Sequence, residues 1–195
     1  MYIISQILVT LGMIVDLTGK IFKNKKSILF FIAIASILYT LSYVFLFSPL
    51  PAIANGIASV RTFLYLYFDK KNKSKKWYLT AMIILNTIFI TFAIIFWKNP
   101  LDLVLITSIF ILSVGLAFKN TNIVRITLMA NSMLWMCYNL SLSAYMNFAC
   151  DIISFMLTLG ALIYYNKITK KENKQLEEKT SEEKATNENL IDTIS

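Results

Sequence analysis

Two sets of polar side chains recur at helical spacing. Asn55, Ser59 and Thr62 stand at i, i+4 and i+7, and Asp151, Ser154 and Thr158 at i, i+3 and i+7. At about 100° per residue, each set occupies one face of a helix. Such a face can hydrogen-bond a polar solute, and its carboxylate can also hold a cation or a proton. The same stripes can instead fasten helices to one another. No catalytic set competes with these readings. The chain has no histidine, which removes the usual general base and the commonest metal ligand. Two cysteines are too few for a Cys/His zinc site or a disulfide scaffold. Without paired carboxylates or a nucleophile–base constellation, the chain reads as no enzyme, with no metal and no cofactor.

The elements that carry these stripes are set by composition. Of 195 residues, 57% are hydrophobic and 15% charged, against roughly 45–50% and 25% in a soluble domain. An all-α polytopic membrane protein is expected. A spanning helix needs about 20 mostly apolar residues. Breaks at charges, Pro and Asn divide the chain into seven: Tyr2–Gly19, Ser27–Phe47, Pro51–Phe68, Trp77–Trp97, Leu101–Phe118, Asn122–Leu142 and Ala144–Tyr165. The joints at Ser48–Pro51 and Ser141–Ala144 are short enough to be tight helical hairpins. The first segment lacks a basic leader and a small-residue cleavage site, so it reads as a retained helix rather than a signal peptide.

Charge then orients the spans. Seventeen of the nineteen Lys and Arg residues fall on one side, in the loops after spans one, three and five and in the tail, counting Lys20, Lys25 and Arg125. Lys98 stands alone on the other side, and Arg61 lies inside a span. Cytoplasmic loops carry the Lys/Arg excess, so the N-terminus is expected outside and the C-terminus in the cytoplasm. These cations are topology signals facing anionic lipid and need no nucleic-acid partner. The tail, 166–195, is rich in Lys, Glu, Asn and Thr and is expected to be disordered or loosely helical.

The chain also repeats itself at a shift of 96 residues. Gly19-Lys20-Ile21-Phe22-Lys23-Asn24 falls on Gly115-Leu116-Ala117-Phe118-Lys119-Asn120, with four identities in six. The same register pairs Ser36 with Ser132, Tyr39 with Trp135, Asn55 with Asp151 and Thr62 with Thr158. Spans one to three thus map onto five to seven, and span four is left as a linker that restores orientation. The expected organisation is two parallel three-helix bundles in a 3+1+3 plan. The first bundle with its cytoplasmic loop takes 1–76, the linker 77–98, the second bundle 99–165 and the tail the rest.

That plan, the N-outside orientation and the two short hairpins resemble the SWEET/PQ-loop (MtN3-like) superfamily. Over about residues 2–166, the basic loop after span one and the Arg61-Thr62 pair in span three resemble the YgjV-type bacterial inner-membrane family more closely. The likeness implies a small-solute transporter in the bacterial cytoplasmic membrane, with a central cavity between the bundles and alternating access. SWEET-like transporters hold substrate between paired asparagines on helices three and seven, with an aromatic and a small polar residue from helices six and two. By that resemblance Asn55, Asp151, Trp135 and Ser36 match the site positions, and Tyr39 is the repeat counterpart of Trp135. Asp151 stands where an amide is expected, which points to a cation, a proton or a more polar solute. The expected partners are the lipid bilayer and a small polar solute, and a second copy of the chain stays open. The competing reading is a non-transporting receptor or assembly component on the same fold.

An ionisable group at the bilayer centre costs roughly 2.5–3.5 kcal/mol on insertion scales and faces the bundle interior. Besides Asp151, Asp16 and Arg61 qualify. Their counterparts at the 96-residue shift are Leu112 and Leu157, so both charges vanish together, as a buried ion pair would. The alternative is that each reaches the cytoplasmic side separately, with Asp16 bonding Lys20 four residues on. Cys137 and Cys150 flank the outer hairpin and read as small buried residues, with a disulfide as the alternative.

Overall fold

The computed structural model describes residues 2–168, which form seven helices and their short joints. They are α1 (Tyr2–Ile21), α2 (Lys25–Phe45), α3 (Pro49–Lys70), α4 (Lys75–Ile95), α5 (Asp102–Ala117), α6 (Thr121–Ser141) and α7 (Tyr145–Ile168). A helix stands at each expected span, with ends shifted by three residues at most. Among the described residues, 2–159 belong to one compact unit and 160–168 to a second. The charged tail expected from 166 lies outside the described residues from 169 on.

Four helices, α1, α2, α4 and α7, are long and apolar enough to cross a membrane. The other three depart from that criterion in two ways. Helices α3 and α6 are of similar length, 22 and 21 residues, but bury polar side chains such as Asn55, Arg61, Arg125 and Asn139. Helix α5 has only 16 residues, a rise of about 24 Å.

The 96-residue shift reappears in the backbone. Helix α1 ends at Ile21 and α5 at Ala117, α2 and α6 run over Lys25–Phe45 and Thr121–Ser141, and α3 and α7 begin at Pro49 and Tyr145. Asn24 stands at the N-cap position of α2 without a side-chain cap bond, and Asn120 at that of α6, where its side chain accepts from the Asn122 amide. The α2–α3 and α6–α7 hairpins each turn on a left-handed residue, Phe47 at φ 54° and Ser143 at φ 55°. In each, the amides of the turn reach back three and five residues: Phe47 to Val44 and Ser48 to Tyr43, then Ser143 to Leu140 and Ala144 to Asn139. These bonds satisfy the last carbonyls of α2 and α6 in the Schellman manner.

The glycine of the sequence repeat has a packing reason. A Cβ on Gly19 would stand 2.5 Å from the Phe31 Cβ, and one on Gly115 would overlap the Thr127 side chain. Phe31 and Thr127 are themselves 96 residues apart. Glycine therefore lets α1 press on α2, and α5 on α6, at equivalent crossings. Two apolar clusters form the core. One gathers Ile28, Leu29, Tyr65, Phe68, Leu116 and Val124, and the other Leu50, Ala54, Phe89, Leu105, Ile109 and Tyr138.

Candidate functional site

A cavity of about 100 Å³ is lined by side chains from six of the seven helices, all but α4. Its wall repeats like the backbone. Eighteen of the twenty-two lining residues form nine pairs separated by 96 positions. Ser36 pairs with Ser132, Tyr39 with Trp135, Tyr43 with Asn139, Ala54 with Cys150, Asn55 with Asp151 and Ala58 with Ser154. Asp16 pairs with Leu112, Ile32 with Leu128 and Ala35 with Asn131.

Of the residues singled out in the sequence, Asn55, Asp151, Trp135, Ser36, Tyr39 and Ser154 line this cavity. Asn55 donates its amide N–H to the Pro51 carbonyl at 2.9 Å. Asp151 accepts from the Asn139 amide at 2.8 Å. Asn139 also accepts from the Tyr43 hydroxyl at 3.3 Å, and that hydroxyl accepts from Asn147 at 2.9 Å. Trp135 packs its ring 6.1 Å from that of Tyr43. Ser59, Thr62 and Thr158 lie outside the cavity wall. Ser59 donates to the Ala33 carbonyl of α2, Thr62 to Ala58 and Thr158 to Ser154. Of these three only Ser59 fastens one helix to another; Thr62 and Thr158 bond carbonyls one turn back in their own helices. A stripe on one helix face is wider than the part of it that meets a small cavity.

The Asp16–Arg61 ion pair is not formed, and the reason is geometric. Helices α1 and α3 both pack on α2, and Arg61 turns away from α1 toward α5. Its Nη1 donates to the Ile109 carbonyl at 3.2 Å and to the Ser113 hydroxyl at 2.7 Å. Ser113 also bonds Asn86 at 2.9 Å, and the Tyr65 hydroxyl donates to the Ser113 carbonyl. Arg61 thus helps to fasten α3, α4 and α5, and Asn86 makes the fourth helix more than a passive linker. Asp16 instead accepts from Lys20 at 2.6 Å, the alternative left open above.

Lys20 and Lys25, both counted with the loop after the first span, are buried at helix ends, Lys25 beside Asp69 at 3.0 Å. Lys20 is the one that meets the cavity. It is buried to 4% exposure, lines the cavity, and donates both to Asp16 and to the Ser154 hydroxyl of α7. Ser154 lies within hydrogen-bond distance of Ser132, at 3.2 Å. The spacing of four from Asp16 was the available signal for its inward position. Asn131, Asn139 and Asn147 also went unread, since a lone asparagine in an apolar helix carries no pattern. Cys137 is exposed and Cys150 buried, and both are free thiols. Among the described residues no three metal-ligating side chains come together.

A model of a protein family described as Imp-YgjV, bacterial inner membrane protein, matches residues 3–168. The chain belongs to the Imp-YgjV family. No curated protein and no solved structure matches it significantly. Family membership places this YgjV protein at the bacterial inner membrane, in contact with the lipid bilayer. It also accounts for the large apolar side chains left exposed along the helices. Ile3, Ile83, Ile94 and Met156 are all at least half exposed, as acyl-chain contact requires. Trp77 and Trp97, exposed at the two ends of the fourth span, suit the interfacial belts.

Proposed function

We propose that this YgjV protein is a small-solute transporter, built as two parallel three-helix repeats, α1–α3 and α5–α7, joined by α4. Its N-terminus lies outside and its C-terminus in the cytoplasm, and access alternates in the manner of SWEET transporters. The observation that carries the reading is the cavity wall, made of residues paired at the repeat distance. A site on a pseudo-symmetry axis can be opened to either side by rocking one repeat against the other. The small volume, about 100 Å³, is below the roughly 300–1,000 Å³ of a ligand pocket for drug-sized molecules. It fits an occluded state around a small solute.

The same small volume also favours a second reading, a receptor or assembly component that moves no solute. Uptake in reconstituted vesicles, measured beside purified yield, separates the two. Asp151→Asn and Asn55→Ala should keep yield near wild type and change solute uptake several-fold. Wild-type uptake in both well-folded variants rejects the site. Absence of any solute flux through the wild-type protein favours the second reading.

A further inference from the structure

The charges in the cavity wall do not balance. Two carboxylates, Asp16 and Asp151, face one ammonium, Lys20, and neither arginine nor histidine lines the wall. Lys20 is committed to Asp16 and Ser154. Among the described residues Asp151 meets a single donor, Asn139, on one carboxylate oxygen. With both carboxylates ionised, the enclosed space carries one uncompensated negative charge, a costly state away from water.

The rest of the wall is suited to a particular counter-charge. Tyr39, Tyr43 and Trp135 bring aromatic rings to the same cavity. The Asn55 amide donates one of its two N–H groups to Pro51, and its carbonyl oxygen can accept. A carboxylate, an acceptor amide and aromatic faces around a small cavity recognise an organic ammonium ion through ion pairing, N–H donation and cation–π attraction. At about 30 Å³ per water, the cavity has room for about three waters or one compact cation in their place.

We infer that the cavity takes a compact monovalent organic ammonium ion, held by Asp151 and Asn55 and walled by Tyr39, Tyr43 and Trp135. This deepens the transport reading by naming its substrate class, and it rests on the cavity found there. Lys20 serves as an internal precedent, an ammonium group already accommodated between a carboxylate and a serine at the same wall.

The test is calorimetric titration of the full chain in nanodiscs with methylammonium chloride, against sodium chloride at equal ionic strength and against glycerol. Saturable methylammonium binding is expected, with sodium and glycerol at least tenfold weaker. Asp151→Asn should weaken it at least tenfold. Tyr39→Leu, which keeps every charge, should weaken it several-fold and covers the case in which the first variant fails to fold. No saturable methylammonium binding to folded protein between pH 6 and 9 overturns the inference, and so does glycerol binding equally well. So does unchanged affinity in both variants. Binding of a proton alone would appear as the first of these outcomes. Flux of labelled methylammonium through vesicles is read separately. Binding without flux keeps the cation site and removes the transport reading. Flux of a neutral solute without methylammonium binding does the reverse.

Discussion

The first three helices and the last three share most of their ends, an asparagine at the N-cap position of α2 and of α6, their left-handed hairpin residues and their glycine crossings, yet they bring different charges to one cavity. The first half supplies Asp16 with Lys20, where the second has Leu112 and Leu116. The second half supplies Asp151, where the first has the neutral Asn55. Backbone features that fix helix crossing and hairpin geometry have stayed alike in the two halves, while the side chains that meet the cavity differ. The likeness of the two halves is therefore geometric, and their asymmetry lies in the charges that line the cavity.

The largest expected effect comes from making the halves more alike in the wrong order. Asp16→Leu copies Leu112 but strands the buried Lys20 ammonium, and should cost about 3–5 kcal/mol in detergent unfolding. The double change Asp16→Leu with Lys20→Leu copies both positions of the second half and should recover most of that loss. Strict additivity would show that the two side chains do not interact in the folded protein.

Next in size is the glycine crossing. Gly115→Ala should cost about 2–3 kcal/mol by overpacking against Thr127, and Thr127→Ala should rescue it. Gly56→Ala is the control, since its new methyl would meet Thr40 at an ordinary 3.8 Å. Its effect should stay within about 0.5 kcal/mol. Equal losses at the two glycines would remove the packing explanation of the sequence repeat.

A smaller effect probes the hydrogen-bond chain from Asn147 to Asp151. Tyr43→Phe removes the hydroxyl shared by Asn139 and Asn147 and should cost about 1–2 kcal/mol. A variant as stable as wild type would mean that the two amides find other partners.

How much of this was legible before the structure follows from what repeats. Span positions could be read because charged loops and apolar runs are coarse, averaged signals. The GxxFKN identity could be read, and it marks a close crossing and a helix cap. The cavity residues Asn55, Asp151, Trp135 and Ser36 were reached through the polar stripes and the SWEET-like resemblance, and Tyr39 through the 96-residue register. What could not be read was direction across a helix interface. Arg61 and Asp16 lie on helices that both pack on α2, but nothing in their types or spacing tells that Arg61 points to α5. Ser59, Thr62 and Thr158 share a stripe with cavity residues, and only packing decides which part of a stripe a small cavity touches. Lys20 was counted with loop cations because a lysine at a helix end has the same composition signal whether it faces solvent or a buried carboxylate.

Cys150, paired with Ala54 across the repeat and set in the cavity wall, offers the most direct measurement of whether the cavity opens to both sides. Cys137→Ser leaves Cys150 as the single thiol of the chain. A small, cationic, membrane-impermeant thiol reagent is then added either to intact cells or to inverted membrane vesicles. The account predicts modification of Cys150 from each side, slowed in both cases by a bound solute. Modification from one side only, or from neither, would contradict alternating access through this cavity.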